Sequence, residues 1–217
     1  MTLQMLAAYY SRGCDSRELF KGFKIENDKT FWEHLNKYDV NFLNMQQFLI
    51  ESDSKNVIRY LEQEIVEELN EEYEEILKEK EMGFAAALRK IYSKTEKQFI
   101  FLIDEWDCVM RERQESGVLQ KQCLDFLRNL LKDQPYVALV YMTGILAVKK
   151  YGQHSALNMF WEYSMTDQYI FEEYTGFTEN EVKQLCRQYD MDFLDIIPKR
   201  KKCLFQIKKL LGNLKTQ

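Results

Sequence analysis

The sequence predicts an α/β protein built on a mainly parallel sheet. Three observations lead there. Two uninterrupted apolar runs occur, Phe99–Ile103 and Val137–Met142; amphipathic helical stretches precede and separate them; and turn formers are scarce, with 2 Pro and 8 Gly in 217 residues. Continuous apolar runs suit strands covered on both faces, which parallel sheets require because their crossover helices pack there. With 46% apolar residues, the chain can bury a real core.

The elements follow from periodicity, in order. Thr2 to Ser11 reads as a helix with Leu3, Met5, Leu6, Tyr9 and Tyr10 on a broad apolar face, and Gly13 stops it. Phe31 to Leu35 forms a short helix and Val40 to Leu43 a short strand. Residues 57–81 carry the strongest helical pattern: Val57, Ile58, Leu61, Ile65, Leu69, Tyr73, Ile76 and Leu77 recur at three-four spacing, and glutamates fill the other faces. A solvated face explains those acids better than a partner-binding one. Phe84 to Tyr92 continues helical, and a polar Ser93 to Lys97 connection leads into the strand at Phe99.

Val118 to Leu131 is the next amphipathic helix, with Leu119, Cys123, Phe126, Leu127, Leu130 and Leu131 inward. Gln134-Pro135 breaks it before the second buried strand, Val137–Met142, which ends at Thr143-Gly144. A small strand is expected at 168–171. Thr178-Glu179-Asn180-Glu181 is a capping box that opens a helix through Val182, Leu185 and Cys186. Trp106, Trp161 and the aromatics from Tyr169 to Phe177 read as core.

Composition narrows the function classes. A net charge of -5 argues against a nucleic-acid surface spread over the whole protein. Cys14, Cys108, Cys123, Cys186 and Cys203 are odd in number and lack metal-ligand spacing, so they read as reduced, mostly buried thiols. No apolar run is long enough to span a bilayer, and the start lacks the features of a secretory signal. The expected location is cytoplasmic, without membrane association.

The Phe99 strand ends abruptly in Asp104-Glu105-Trp106-Asp107. Sites in parallel sheets lie beyond the carboxyl ends of the strands, so Asp104, Glu105 and Thr143 should meet at one edge. An Asp at such a tip can hold Mg²⁺, directly or through water, and the following Glu can polarise an attacking water. The spacing is that of a Walker B element. The plain alternative is a core strand running into an acidic loop. Asp107, one turn later, reads equally as a residue behind that site or as a simple loop acid. His154 reads as a surface-loop histidine, and His34 has no metal-ligand neighbours at usable spacing.

The order of short motifs resembles the AAA-ATPase-like family of bacterial P-loop ATPases, whose relatives often carry a C-terminal restriction-endonuclease-like nuclease domain. The stretches that carry the resemblance run from residue 2 to 192: Thr2-Leu3-Gln4-Met5-Leu6, Glu18-Leu19-Phe20-Lys21-Gly22, Phe101–Asp107, Tyr141-Met142-Thr143-Gly144-Ile145-Leu146, Ser155–Phe160 and Gly176–Val182. Ala147 replaces a common proline. The resemblance implies a three-layer AAA-like fold, with ATP and Mg²⁺ as cofactors. It makes Asp104 and Thr2 the Mg²⁺ and nucleotide contacts, Glu105 the water-activating base and Thr143 the sensor of the γ-phosphate.

Two departures accompany it. Relatives place a strand and a Gly-rich loop ending Gly-Lys-Thr before Leu-x-Met-Leu; here Thr2 matches the last residue of that motif and Met1 stands where its lysine should be. The phosphate-cradling N–H groups and the lysine are therefore missing. The expectation is an incomplete P-loop fold without its first strand, a truncated copy of a longer protein with impaired ATP binding and hydrolysis. That strand would lie beside the one ending at Thr143, so its loss should leave an unpaired apolar edge, marginal stability or self-association. After Asp192 the match stops and a lysine-rich ending follows, giving a domain at 1–192 and a divergent basic tail at 193–217. The tail reads as non-native; a basic amphipathic segment at 199–209 touching nucleic acid or anionic lipid is the weaker reading. A non-enzymatic interaction fragment, binding a protein partner or a second copy of itself, is the alternative function.

Overall fold

Three parallel strands, in the order β1-β2-β3, carry the N-terminal unit. They are β1 (Asp39–Asn44), β2 (Phe99–Asp104) and β3 (Val137–Met142). The computed structural model describes residues 2–52, 57–78, 82–148, 159–163 and 179–193. The chain divides into two units, 1–162 and 163–217. In the second, α8 (Glu179–Gln188) is the described helix, and Cys186 on it is buried.

In the first unit, α1 (Thr2–Tyr10) and α2 (Phe31–His34) precede the sheet, with 3-10 turns at Arg17–Phe20 and Lys24–Asn27. Between β1 and β2 run α3 (Met45–Glu51), α4 (Val57–Glu72) and α5 (Phe84–Thr95). Between β2 and β3 run α6 (Cys108–Glu112) and α7 (Gly117–Leu131). Alternation along β2 explains the layers. Phe99, Phe101 and Ile103 join the main core with Leu61, Leu88, Ile91, Leu127 and Leu130 from the crossover helices. Ile100 and Leu102 point the other way and meet Leu3 of α1, with Leu6, Ala7 and Tyr10 around them. Helices on both faces of a parallel sheet are what the apolar runs predicted.

The register puts Asn44 beside Asp104 and Ile103 beside Met142, so all three strands end at one edge. The chain runs along α1 in the opposite sense to the strands. Its last turn reaches Tyr38 at the start of β1, where Arg12 N–H donates to the Tyr38 carbonyl at 3.0 Å, while Leu3 packs against Ile100 and Leu102. The Thr2 end of α1 is therefore directed toward the edge where the strands finish.

Several expectations need correction. The 57–81 helix stops at Glu72. Tyr73 turns inward to donate its hydroxyl to Asp39 Oδ2 at 2.5 Å and pack on Phe99, and the run of glutamates around it repels itself in a helix. The helix from Phe84 extends to Thr95 and closes on Glu96 in a left-handed conformation, taking in part of the expected connection. The strand Val137–Met142 is not buried on both faces. Leu139 and Tyr141 pair in register with Ile100 and Leu102 but remain 39% and 40% exposed, because α1 packs on β1 and β2. Trp161, expected in the core, is 84% exposed, whereas Trp106 is buried as expected.

Two short helices, α3 and α6, were not anticipated. Both are too short to show a period: α3 starts directly at the end of β1, where Asn44 caps it by accepting the Gln47 N–H at 3.1 Å, and α6 follows β2 after the three-residue turn Glu105-Trp106-Asp107. Among the described residues β3 has β2 as its one neighbouring strand, and no helix is long and apolar enough to cross a membrane. The expected strand at 168–171, the aromatics from Tyr169 to Phe177, Thr178, His154, Ser155–Asn158 and residues 194–217 of the basic tail lie outside the described residues.

Candidate functional site at the tips of β2 and β3

β2 delivers its carboxylates by ending in a sharp reversal. Glu105 takes a left-handed backbone conformation, φ 53, which costs a residue with a Cβ about 1 kcal/mol. The Trp106 that follows turns into the core, and Asp107 becomes fully buried. Hydrophobic anchoring of Trp106 thus holds the chain in a turn that Glu105 alone would not choose.

The turn is stitched to the end of β3. Thr143 N–H donates to the Ile103 carbonyl at 2.8 Å, and Trp106 N–H donates to the Thr143 carbonyl at 3.0 Å, extending the ladder beyond the strands. The Thr143 hydroxyl donates to Asp104 Oδ1 at 2.5 Å. Asp104 and Thr143, named from the sequence on separate strands, therefore meet. Gly144 has to be glycine: a Cβ there would lie 2.5 Å from the Trp106 ring and 2.8 Å from Asp107 Oδ1.

Asp107 is an anchor rather than a loop acid. Its Oδ2 accepts the N–H groups of Ile145 at 3.0 Å and Leu146 at 2.7 Å, pinning the loop after Thr143. Arg111, one turn into α6, stands 3.3 Å by its Nε from the same oxygen and donates by Nη2 to Glu105 Oε2. The Nε contact is ionic only: the N–H lies off the line a hydrogen bond needs, and Asp107 Oδ1 has no hydrogen-bond partner among the described residues. Arg111 escaped the sequence reading; the Asp107/Arg111 spacing of four at a helix start was its one signal.

The side chains of the remaining candidates make no hydrogen bond to this cluster among the described residues. Thr2 is exposed and makes no hydrogen bond to Asp104 or Thr143 among the described residues. His34 is engaged elsewhere, its Nδ1 2.8 Å from the Tyr38 hydroxyl with the rings stacked. Cys108, just after the anchor, is held as a neutral thiol by burial, its pKa pushed up to about 11. Among the described residues no group of His, Cys, Asp and Glu is arranged as a metal cluster.

Asp104 and Thr143 thus sit side by side where the parallel strands end, at the edge expected from the strand order. A family model described as "Predicted AAA-ATPase" matches residues 1–153. The chain belongs to the AAA-ATPase-like family. No curated protein and no solved structure matches it. The matched AAA-ATPase-like region contains β1, β2 and β3 and every residue of the cluster just described.

Proposed function

We propose that the first unit is the ATPase domain of an AAA-ATPase-like protein, with a P-loop-type three-layer fold and its nucleotide site at the tips of β2 and β3. The observation that carries this is the pairing of Asp104 with Thr143 beside Glu105. A carboxylate and hydroxyls form an all-oxygen donor set, which suits a hard cation such as Mg²⁺. Asp104 Oδ2 accepts no hydrogen bond among the described residues, and it is the oxygen left for such an ion, with the Thr2 hydroxyl as a second donor. Bound there, Mg²⁺ would neutralise charge on the β- and γ-phosphates of ATP.

The protein's own groups have separate tasks in this reading. Asp104 holds the cation, Glu105 accepts a proton or hydrogen bond from the attacking water, and Thr143 reports the terminal phosphate. The cradle is the deficient part. No Gly-Lys pair occurs in the 217 residues, so the lysine and N–H groups that embrace phosphates in P-loop enzymes are lacking, and this chain by itself should bind nucleotide weakly and turn it over little.

The test is a Mg·ATP titration followed by thermal shift, with phosphate release measured in parallel on wild type and Glu105→Gln. A Mg·ATP-dependent shift that Asp104→Ala abolishes supports the site. A clear Glu105-dependent rate would support the site and refute the impairment. A second reading rests on the exposed Leu139, Tyr141 and Ile145 around β3: an interaction fragment that binds a protein partner or another copy of the chain. No response to Mg·ATP, together with a concentration-dependent molecular mass, would favour that reading. Nucleic-acid binding through 199–209 would appear as salt-dependent affinity lost on truncation at Asp192.

A further inference from the structure

We propose that Arg111 is a positioning residue for Glu105, and that through Asp107 it couples this acid to the loop that follows Thr143. The inference deepens the ATPase reading and rests on it for its catalytic meaning. The structural coupling stands on the contacts themselves.

The contacts form a closed circuit. Arg111 Nη2 donates to Glu105 Oε2, and Arg111 Nε faces Asp107 Oδ2 at 3.3 Å. That oxygen accepts from Ile145 and Leu146, two and three residues past Thr143. Thr143 in turn donates to Asp104, the residue before Glu105. Side chain, loop and strand tip thus constrain one another.

The way the guanidinium is divided argues for positioning over simple charge compensation. A guanidinium present only to neutralise the buried Asp107 would meet it with two parallel N–H bonds. Here, among the described residues, Asp107 Oδ1 has no hydrogen-bond partner and the Arg111 Nε–H is off line, while Nη2 goes to Glu105. The Glu105 side chain is 38% exposed and the Arg111 side chain 26%, so the pair sits at the mouth of the site, with the Asp107 side chain at 0% as its floor. A free glutamate side chain loses up to about 2 kcal/mol of rotamer entropy when ordered. Arg111 bears that ordering in advance by holding one oxygen, and Oε1 is left as the oxygen for a water. The same cation offsets repulsion among Asp104, Glu105 and Asp107.

The experiment uses the full 217-residue chain labelled with ¹³C at glutamate carboxyl carbons, Glu105→Gln serving to assign the Glu105 resonance. Positioning predicts a Glu105 signal displaced from those of solvated glutamates, returned to their range in Arg111→Gln and partly kept in Arg111→Lys. Coupling predicts that Glu105→Gln, an exposed change that leaves Arg111 in place, speeds exchange of the Ile145 and Leu146 amides by about three- to tenfold, with α5 amides unaltered. The double variant Glu105→Gln/Arg111→Gln should exchange no faster than Arg111→Gln alone. A Glu105 signal indifferent to Arg111→Gln in a folded protein, or loop exchange indifferent to Glu105→Gln, overturns the proposal. Both readouts work without nucleotide: displaced signals in a wild type that shows no Mg·ATP response even at saturating Mg·ATP would uphold the positioning and sink the ATPase reading instead.

Discussion

The Thr143 hydroxyl donates to Asp104 Oδ1 across the tips of two parallel strands at 2.5 Å. The two residues are 39 positions apart in sequence, and α6 and α7 lie between them. The bond therefore depends on the crossover that brings the two strand tips together more than on any local preference. Thr143→Val keeps the shape and removes the donor, leaving a half-buried carboxylate oxygen without its partner. We expect a loss of about 1 kcal/mol of unfolding free energy in urea melts. A cycle with Asp104→Asn should show coupling, and strict additivity would mean the bond contributes nothing in solution.

Gly144→Ala tests the close approach behind that pair. The added methyl would meet the buried Trp106 ring at 2.5 Å, and neither partner is the loose end of a flexible chain. Overpacking of this kind costs about 1–3 kcal/mol. Thermal melts should fall accordingly, whereas alanine at Gly117, where a Cβ meets nothing within 4 Å, should be tolerated.

Asp107→Ala should be among the most damaging single changes in the first unit. It strands the Ile145 and Leu146 N–H groups and leaves Arg111 paired to Glu105 alone. Breaking a buried charged contact by removing one side costs about 3–5 kcal/mol. Removing both charges, in Asp107→Ala/Arg111→Met, is expected to recover part of that loss in the same urea melts. If the double variant is no better than the single, the Arg111–Asp107 contact is energetically idle.

The cysteines make a chemical prediction. Cys108 and Cys123 are buried, their pKa values raised to about 11 and about 12 from 9.0 by desolvation, while Cys14 is exposed. At pH 8 about one Cys108 in a thousand is thiolate, and about one Cys123 in ten thousand. Iodoacetamide followed by peptide mapping should label Cys14 quickly and the other two only after unfolding. Raised folded-state values mean that the fold favours the bound proton. Their stabilisation is present below pH 9 and is lost as pH rises toward 11 and 12. Burial also raises the Tyr73 and Tyr136 hydroxyls, which act in the same direction at still higher pH. Melting temperature should fall steadily above pH 9, and a flat profile would count against this burial.

The α/β class, the strands at Phe99 and Val137, the helices near 57, 84 and 118, and the identity of Asp104, Glu105 and Thr143 as residues sharing one edge were all legible from the chain alone. Each depends on local periodicity or on the rule that parallel strands end together, and neither needs coordinates. Tertiary structure decided what periodicity does not encode. Tyr73 ended its helix early by reaching Asp39; β3 kept one face open because α1 settled on β1 and β2; and Asp107 became an anchor because Gly144 let the Thr143 loop press against Trp106. Arg111 joined Glu105 for the same reason, since a six-residue separation means little until the backbone reverses at Glu105. Short-range hydrophobic patterns specify which surfaces must be hidden, but the partner that hides each one is chosen by packing across the whole unit.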